Sequence, residues 1–156
     1  MAIVSTIQQF SFLKREFLAE AKQVNHNPRA AITLCTCYLE LMVNSIIKLR
    51  CKRGGYLIKK NIPLQGKVDL LYELGIINSN LYHDIGLLIG ERNKAAHDFD
   101  YDFNHGITKK LKYLKKAPSV TREEVKNTNV PWIHIGIDLV FEVGNIVFSD
   151  VVKIRK

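Results

Sequence analysis

The chain is short of acid, cysteine and proline, and each shortage narrows the possibilities. There are 15 Asp and Glu against 23 Lys and Arg, a formal charge of +8 at pH 7, and the pI is near 9.4. That deficit of acid points to a polyanionic partner such as nucleic acid. The cysteines number 3, an odd count without metal-ligand spacing, so neither a disulfide framework nor a zinc site is expected. Cys35 and Cys37, two apart in a helical pattern, point to different sides and read as reduced thiols of a cytoplasmic protein. The 4 prolines, Pro28, Pro63, Pro118 and Pro131, fall at breaks between periodic segments. No long apolar run is free of charge. The most apolar stretch, residues 132–152, carries His134, Asp138, Glu142 and Asp150, too many ionisable groups for a membrane span. Residues 1–9 lack the basic and then apolar order of a signal peptide, and internal repeats and low-complexity tracts are missing.

What is present is helical periodicity. Hydrophobic residues make up 47% of the chain, enough for a core in one domain spanning residues 1–156. Ile3, Ile7, Phe10, Leu13, Phe17, Leu18 and Ala21 recur at three- and four-residue steps, which predicts a helix over 3–24. Asn27 and Pro28 suit the cap and first turn of a second helix over 28–51. Residues 56–65 read as a basic connector, 66–74 as a short helix stopped by Gly75, and 76–80 as a turn with capping residues. A helix over 81–97 follows, with Leu81, Ile85, Leu88, Arg92 and Ala95 along one line. Ile107, Leu111 and Leu114 fit a short helix, and Thr121 and Glu124 fit a capping box. Residues 130–153 are rich in β-branched residues, so a strand is conceivable, but the unbroken length and the spacing of Ile133, Ile137, Val140, Val147, Val151 and Ile154 favour a last long helix, in which Gly136 and Gly144 are expected to mark close approach of a neighbour. The fold class is therefore all-α, a bundle of four to five main helices plus short ones.

Arg92-Asn93-Lys94-Ala95-Ala96-His97 is the stretch with chemical content. Arginine is a fixed cation able to hold a phosphate in a fork. Histidine moves protons near neutral pH. Five positions on a helix correspond to about 140° of rotation and about 7.5 Å of rise, so Arg92 and His97 do not share a face, whereas Asn93 and His97 do. A joint site requires that the helix distort near His97, that Arg92 reach round, or that a second copy complete it across a two-fold axis.

Lys59 and Lys60 in one basic cluster, Lys109, Lys110 and Lys112 in another, and Lys94 inside the motif are the candidate RNA-binding cations. Tyr56 and Tyr113 lie among them as candidate stacking partners. Asp98, Asp100 and Asp102 do not make a calcium loop, because the required sixth-position glycine is Phe103. They read as the wet face of a loop whose Phe99, Tyr101 and Phe103 pack inward. Neither a metal nor any other cofactor is expected.

Residues 68–97, in which a Leu74-Gly75-Ile76-Ile77 turn precedes a helix ending in Arg-x-x-x-x-His, resemble the HEPN superfamily and in particular its mannitol-operon repressor branch. The resemblance implies a HEPN-like helical bundle that forms a two-fold homodimer, with the motifs meeting at the interface. In active members it implies metal-independent RNA cleavage, as in toxin–antitoxin and antiphage-defence systems. His97 would then be the general acid/base, Arg92 would hold the phosphate, and Asn93 would orient His97 or bind a phosphate oxygen. An antitoxin or regulatory protein is an implied partner, and no membrane is. Some toxin members carry a tyrosine, modified by a partner nucleotidyltransferase, two residues after the histidine. That position is Phe99 here, and the nearest tyrosine is Tyr101, so this modification does not carry over. The same resemblance admits a non-catalytic transcriptional regulator acting through protein contacts. A third reading is a nucleotide-binding module that uses Arg92 without catalysis.

Overall fold

The computed structural model describes residues 2–24, 26–101, 109–114 and 131–153. Among these there are six α-helices and no strand: α1 (Ala2–Val24), α2 (Pro28–Arg50), α3 (Gly54–Lys59), α4 (Leu64–Glu73), α5 (Ser79–His97) and α6 (Pro131–Lys153). The all-α class expected from periodicity is what forms.

α2 is the central helix, packed against α1, α3, α4, α5 and α6. Its start is local chemistry. The Asn27 Oδ1 accepts the Ala30 N–H at 3.0 Å, and Pro28 occupies the first turn, where its missing donor costs nothing. Ile32, Leu39, Ile46 and Ile47 are fully buried along it. Each contributes about 1.5–3 kcal/mol by leaving water. Among the described residues only this helix is long and apolar enough to cross a membrane. Its central place in the bundle accounts for that composition.

α6 crosses α2 closely at Gly136, where an added Cβ would lie 2.3 Å from the Cys35 Sγ. Burial there pushes the Cys35 thiol up to about 12. Next to this contact, α1 lays Phe17 against Tyr38, ring centroids 4.6 Å apart. The Tyr38 hydroxyl donates to Glu20 at 3.1 Å. Burial first, and then that carboxylate, raise its pKa to about 12.

Several boundaries differ from the expectations. Residues 54–59 are helical, not part of a connector. The chain leaves α2 through one turn and restarts with Gly54 so close that a Cβ would lie 2.3 Å from the Ile47 carbonyl oxygen. α4 begins at Leu64, two residues early. It ends as expected, with Gly75 at φ +66 and the Gly75 and Ile76 N–H groups donating back to Tyr72 and Leu71 at 2.9 and 3.0 Å, a glycine-dependent stop.

The helix expected at Leu111 and Leu114 does not form. Lys109 and Lys110 make a single 3₁₀ turn. The N–H groups of Lys112, Tyr113 and Leu114 then all donate to the carboxylate of Asp84, at 2.8, 2.9 and 3.0 Å. Donors spent on a side chain are not available to a helix ladder. Ile107, Phe103, Asp102 and the Thr121–Glu124 box lie outside the described residues.

Candidate functional site

α5 carries the motif and is straightforward to build. Asn78 caps it by accepting the Leu81 N–H at 2.9 Å. Leu81, Ile85, Leu88 and Ala95 face the core. The inward line then passes through Glu91, 3% exposed, and not through Arg92, which is exposed. The expectation that Arg92 sits on the packing stripe is thus corrected. After Leu88 the stripe takes the three-residue step, and a carboxylate, not a guanidinium, enters the core. Glu91 is satisfied there by Lys94 Nζ at 2.7 Å and by the Tyr101 hydroxyl at 3.2 Å, as a buried charge must be.

The helix stays regular through His97, and the Asp98 N–H closes it on the Lys94 carbonyl at 2.8 Å. Of the three ways to join Arg92 with His97, a distorted helix end is therefore not the one used. Arg92 leans sideways instead. Its Nη1 donates to the Asn93 Oδ1 at 3.2 Å. Asn93 shares a face with His97, about 6 Å further along the axis. Arg92, Asn93 and His97 are all exposed, and among the described residues neither Arg92 nor His97 meets a carboxylate.

Sequence reasoning missed Arg29. From the first turn of α2 its Nε donates to the Ala95 carbonyl at 2.6 Å and its Nη2 to the Asp98 carbonyl at 3.2 Å. A second guanidinium thus stands at the end of α5 that carries His97. The Asp98 carboxylate is engaged locally, accepting the Asp100 N–H at 3.1 Å.

Arg92 and Asn93 also line a groove of about 310 Å³ between α2, α5 and the link from α3 to α4. Its other polar walls include Thr36, Cys37, Glu40 and Asn61. Glu40 does not make it acidic, because Lys67 Nζ holds that carboxylate at 2.5 Å. The volume sits at the lower end of the small-ligand range.

The candidate RNA-binding lysines are placed unevenly. Lys59, Lys60, Lys110 and Lys112 are exposed, as is Lys109, which has a partner of its own. Lys94 is tied to Glu91 and is the least free of the set. Lys59 and Lys60 precede the groove wall at Asn61. Lys112 lies on the segment held by Asp84. Tyr113 is half-buried and its hydroxyl donates to Glu142 at 2.9 Å, which removes it as a free stacking ring. Phe99, expected to pack inward, is 91% exposed, because Asp98 and Asp100 close a tight turn that throws it outward. Among the described residues no three His, Cys, Asp or Glu side chains gather at metal-binding range. Comparison with protein-family models, curated proteins and solved structures gives no match to this chain.

Proposed function

We propose that the protein is a metal-independent endoribonuclease that works as a two-fold dimer, with the outer ends of two α5 helices facing one cleft. The observation that carries this reading is the exposed Arg92–Asn93–His97 strip. It presents a fork donor and a proton-transfer group on one helix end with no carboxylate partner among the described residues. A purely structural arginine and histidine would be expected to pair with carboxylates or close the helix end. Here Arg29 closes the end instead.

The chemistry follows from the groups. One His97 takes the proton from a ribose 2′-hydroxyl, and the 2′-oxygen attacks the adjacent phosphorus. Arg92 neutralises the charge that builds on the phosphoryl oxygens. The 5′-oxygen leaves with a proton from the second copy's His97, giving a 2′,3′-cyclic phosphate and a 5′-hydroxyl. One copy of the regular helix does not bring both groups to one phosphate, which is why the reading needs two. A role in toxin–antitoxin or antiphage defence would fit this activity.

The test is incubation of wild type, Arg92→Ala and His97→Ala with total RNA in EDTA. Wild type is expected to leave cyclic-phosphate ends, and His97→Ala to slow cleavage by about 10²–10⁴. RNA left intact by the wild type would overturn the enzyme and favour the regulator that acts through protein contacts. A monomer in light scattering at micromolar concentration would overturn the shared cleft.

A further inference from the structure

Residues 41–68 contain no Asp or Glu but include Lys48, Arg50, Lys52, Arg53, Lys59, Lys60 and Lys67. Their focus is α3. Tyr56 on that short helix is 51% exposed. The guanidinium carbon of Arg53 lies 5.1 Å from its ring centroid and the Nζ of Lys60 lies 4.8 Å from it. Lys52 and Lys59 are exposed beside them and meet no carboxylate among the described residues. An exposed ring that gathers cations has the composition of a surface that takes both a base and its phosphates.

The cluster is continuous with the groove. Lys60 is followed directly by Asn61, Ile62 and Pro63, which form the groove wall facing Arg92 and Asn93. A strand lying in the groove can leave over Asn61 and onto α3 along a stretch of chain that holds no Asp or Glu.

We propose that Tyr56, with Arg53 and Lys60, is a base-stacking platform for single-stranded RNA whose backbone leads along Asn61 into the Arg92 groove. The proposal rests on reading the α5 site as one that handles RNA. A base that stacks on Tyr56 displaces a cation from the ring, and the freed cation moves to the phosphate of the same nucleotide. Charge at the surface is conserved while stacking is gained. A duplex offers no unstacked base, so the platform selects single strands.

The test uses the full chain carrying His97→Ala, a fluorescent single-stranded oligoribonucleotide and its duplex, and anisotropy over a range of salt. The single strand is expected to bind more tightly than the duplex. Tyr56→Ala is expected to weaken it about tenfold, and Tyr56→Phe to leave it unchanged. Arg53→Ala with Lys60→Ala is expected to lower the slope of log affinity against log salt by about 0.7 per cation. Equal binding of the duplex, or a Tyr56→Ala chain that binds like its parent, overturns the platform. Cleavage by the wild type separates the two claims. If RNA is cut and Tyr56→Ala keeps its KM, the platform fails and the nuclease stands. Tyr56-dependent binding without cutting does the reverse. A chain that neither binds nor cuts loses both.

Discussion

The two faces of α5 treat charge in opposite ways. Inward, Asp84 is fully buried and accepts three backbone N–H groups with His83 Nδ1 at 3.0 Å beside it, and Glu91 is closed off by Lys94 and Tyr101. Outward, Arg92 hydrogen-bonds the neutral Asn93 and meets no carboxylate among the described residues, and His97 stands exposed. A buried ion without partners is too costly to keep, so every inward charge has a structural purpose. An outward ion costs nothing to leave unpaired. What sets the outward groups apart is their setting: Arg92 borders a groove, and His97 stands at a helix end whose carbonyls Arg29 already holds.

The largest effect that can break this contrast is at Asp84. Asp84→Ala leaves three donors unsatisfied and is expected to cost about 4 kcal/mol in urea unfolding, with protease cutting faster near residues 109–114. A loss under about 1 kcal/mol would mean that residues 112–114 are held by something else. Next, the neighbours Glu91 and Arg92 divide the two faces within one peptide bond. Glu91→Ala is expected to cost about 2 kcal/mol of stability. Arg92→Ala and His97→Ala are expected to stay within about 0.5 kcal/mol of wild type while losing cleavage. Equal destabilisation by Glu91→Ala and Arg92→Ala would erase the distinction between the faces.

The smallest effects come from α2, where the same contrast recurs. Cys35 is buried and Cys37 exposed, so a thiol reagent at pH 8 is expected to modify Cys37 promptly and Cys35 only on unfolding. The buried thiol of Cys35 titrates at about 12 against an ordinary 9.0, and Tyr38 at about 12 against 10.0. Each group binds its proton more tightly folded than unfolded. Their stabilisation is therefore complete below pH 9 and is lost as pH rises from 9 toward 12. Thermal melts in that window should flatten in Cys35→Ala.

What could be read in advance follows the reach of the chemistry. Asn27, Pro28 and Gly75 act on backbone within four residues, and their cap and stop stand where expected; Asn78 acts as locally but starts α5 at Ser79, two residues before the expected Leu81. The stripe of α5 was legible to Leu88 and then forked, since Glu91 and Arg92 both continue it. Periodicity does not choose between two charged residues; the partners Lys94 and Tyr101, which reach the buried Glu91 carboxylate, do. Residues 111–114 read as helix because the pattern does not see that Asp84, nearly thirty positions back, takes their N–H groups. α3 was hidden by two glycines that usually break a helix, of which Gly54 here lets α3 start against the end of α2. Arg29 had no local signal at all, because its acceptor on Ala95 lies 66 residues away.

That long-range contact of Arg29 has an electrostatic consequence for the proposed site. Aligned peptide dipoles leave about half a negative charge at the C-terminal end of a helix, within its last turn. Such an end repels a phosphate, yet His97 is the last residue of α5. The guanidinium of Arg29 lies on the carbonyls of Ala95 and Asp98, where that negative charge gathers. Its full positive charge offsets the partial negative charge of the helix end, which favours a polyanion at the proposed site.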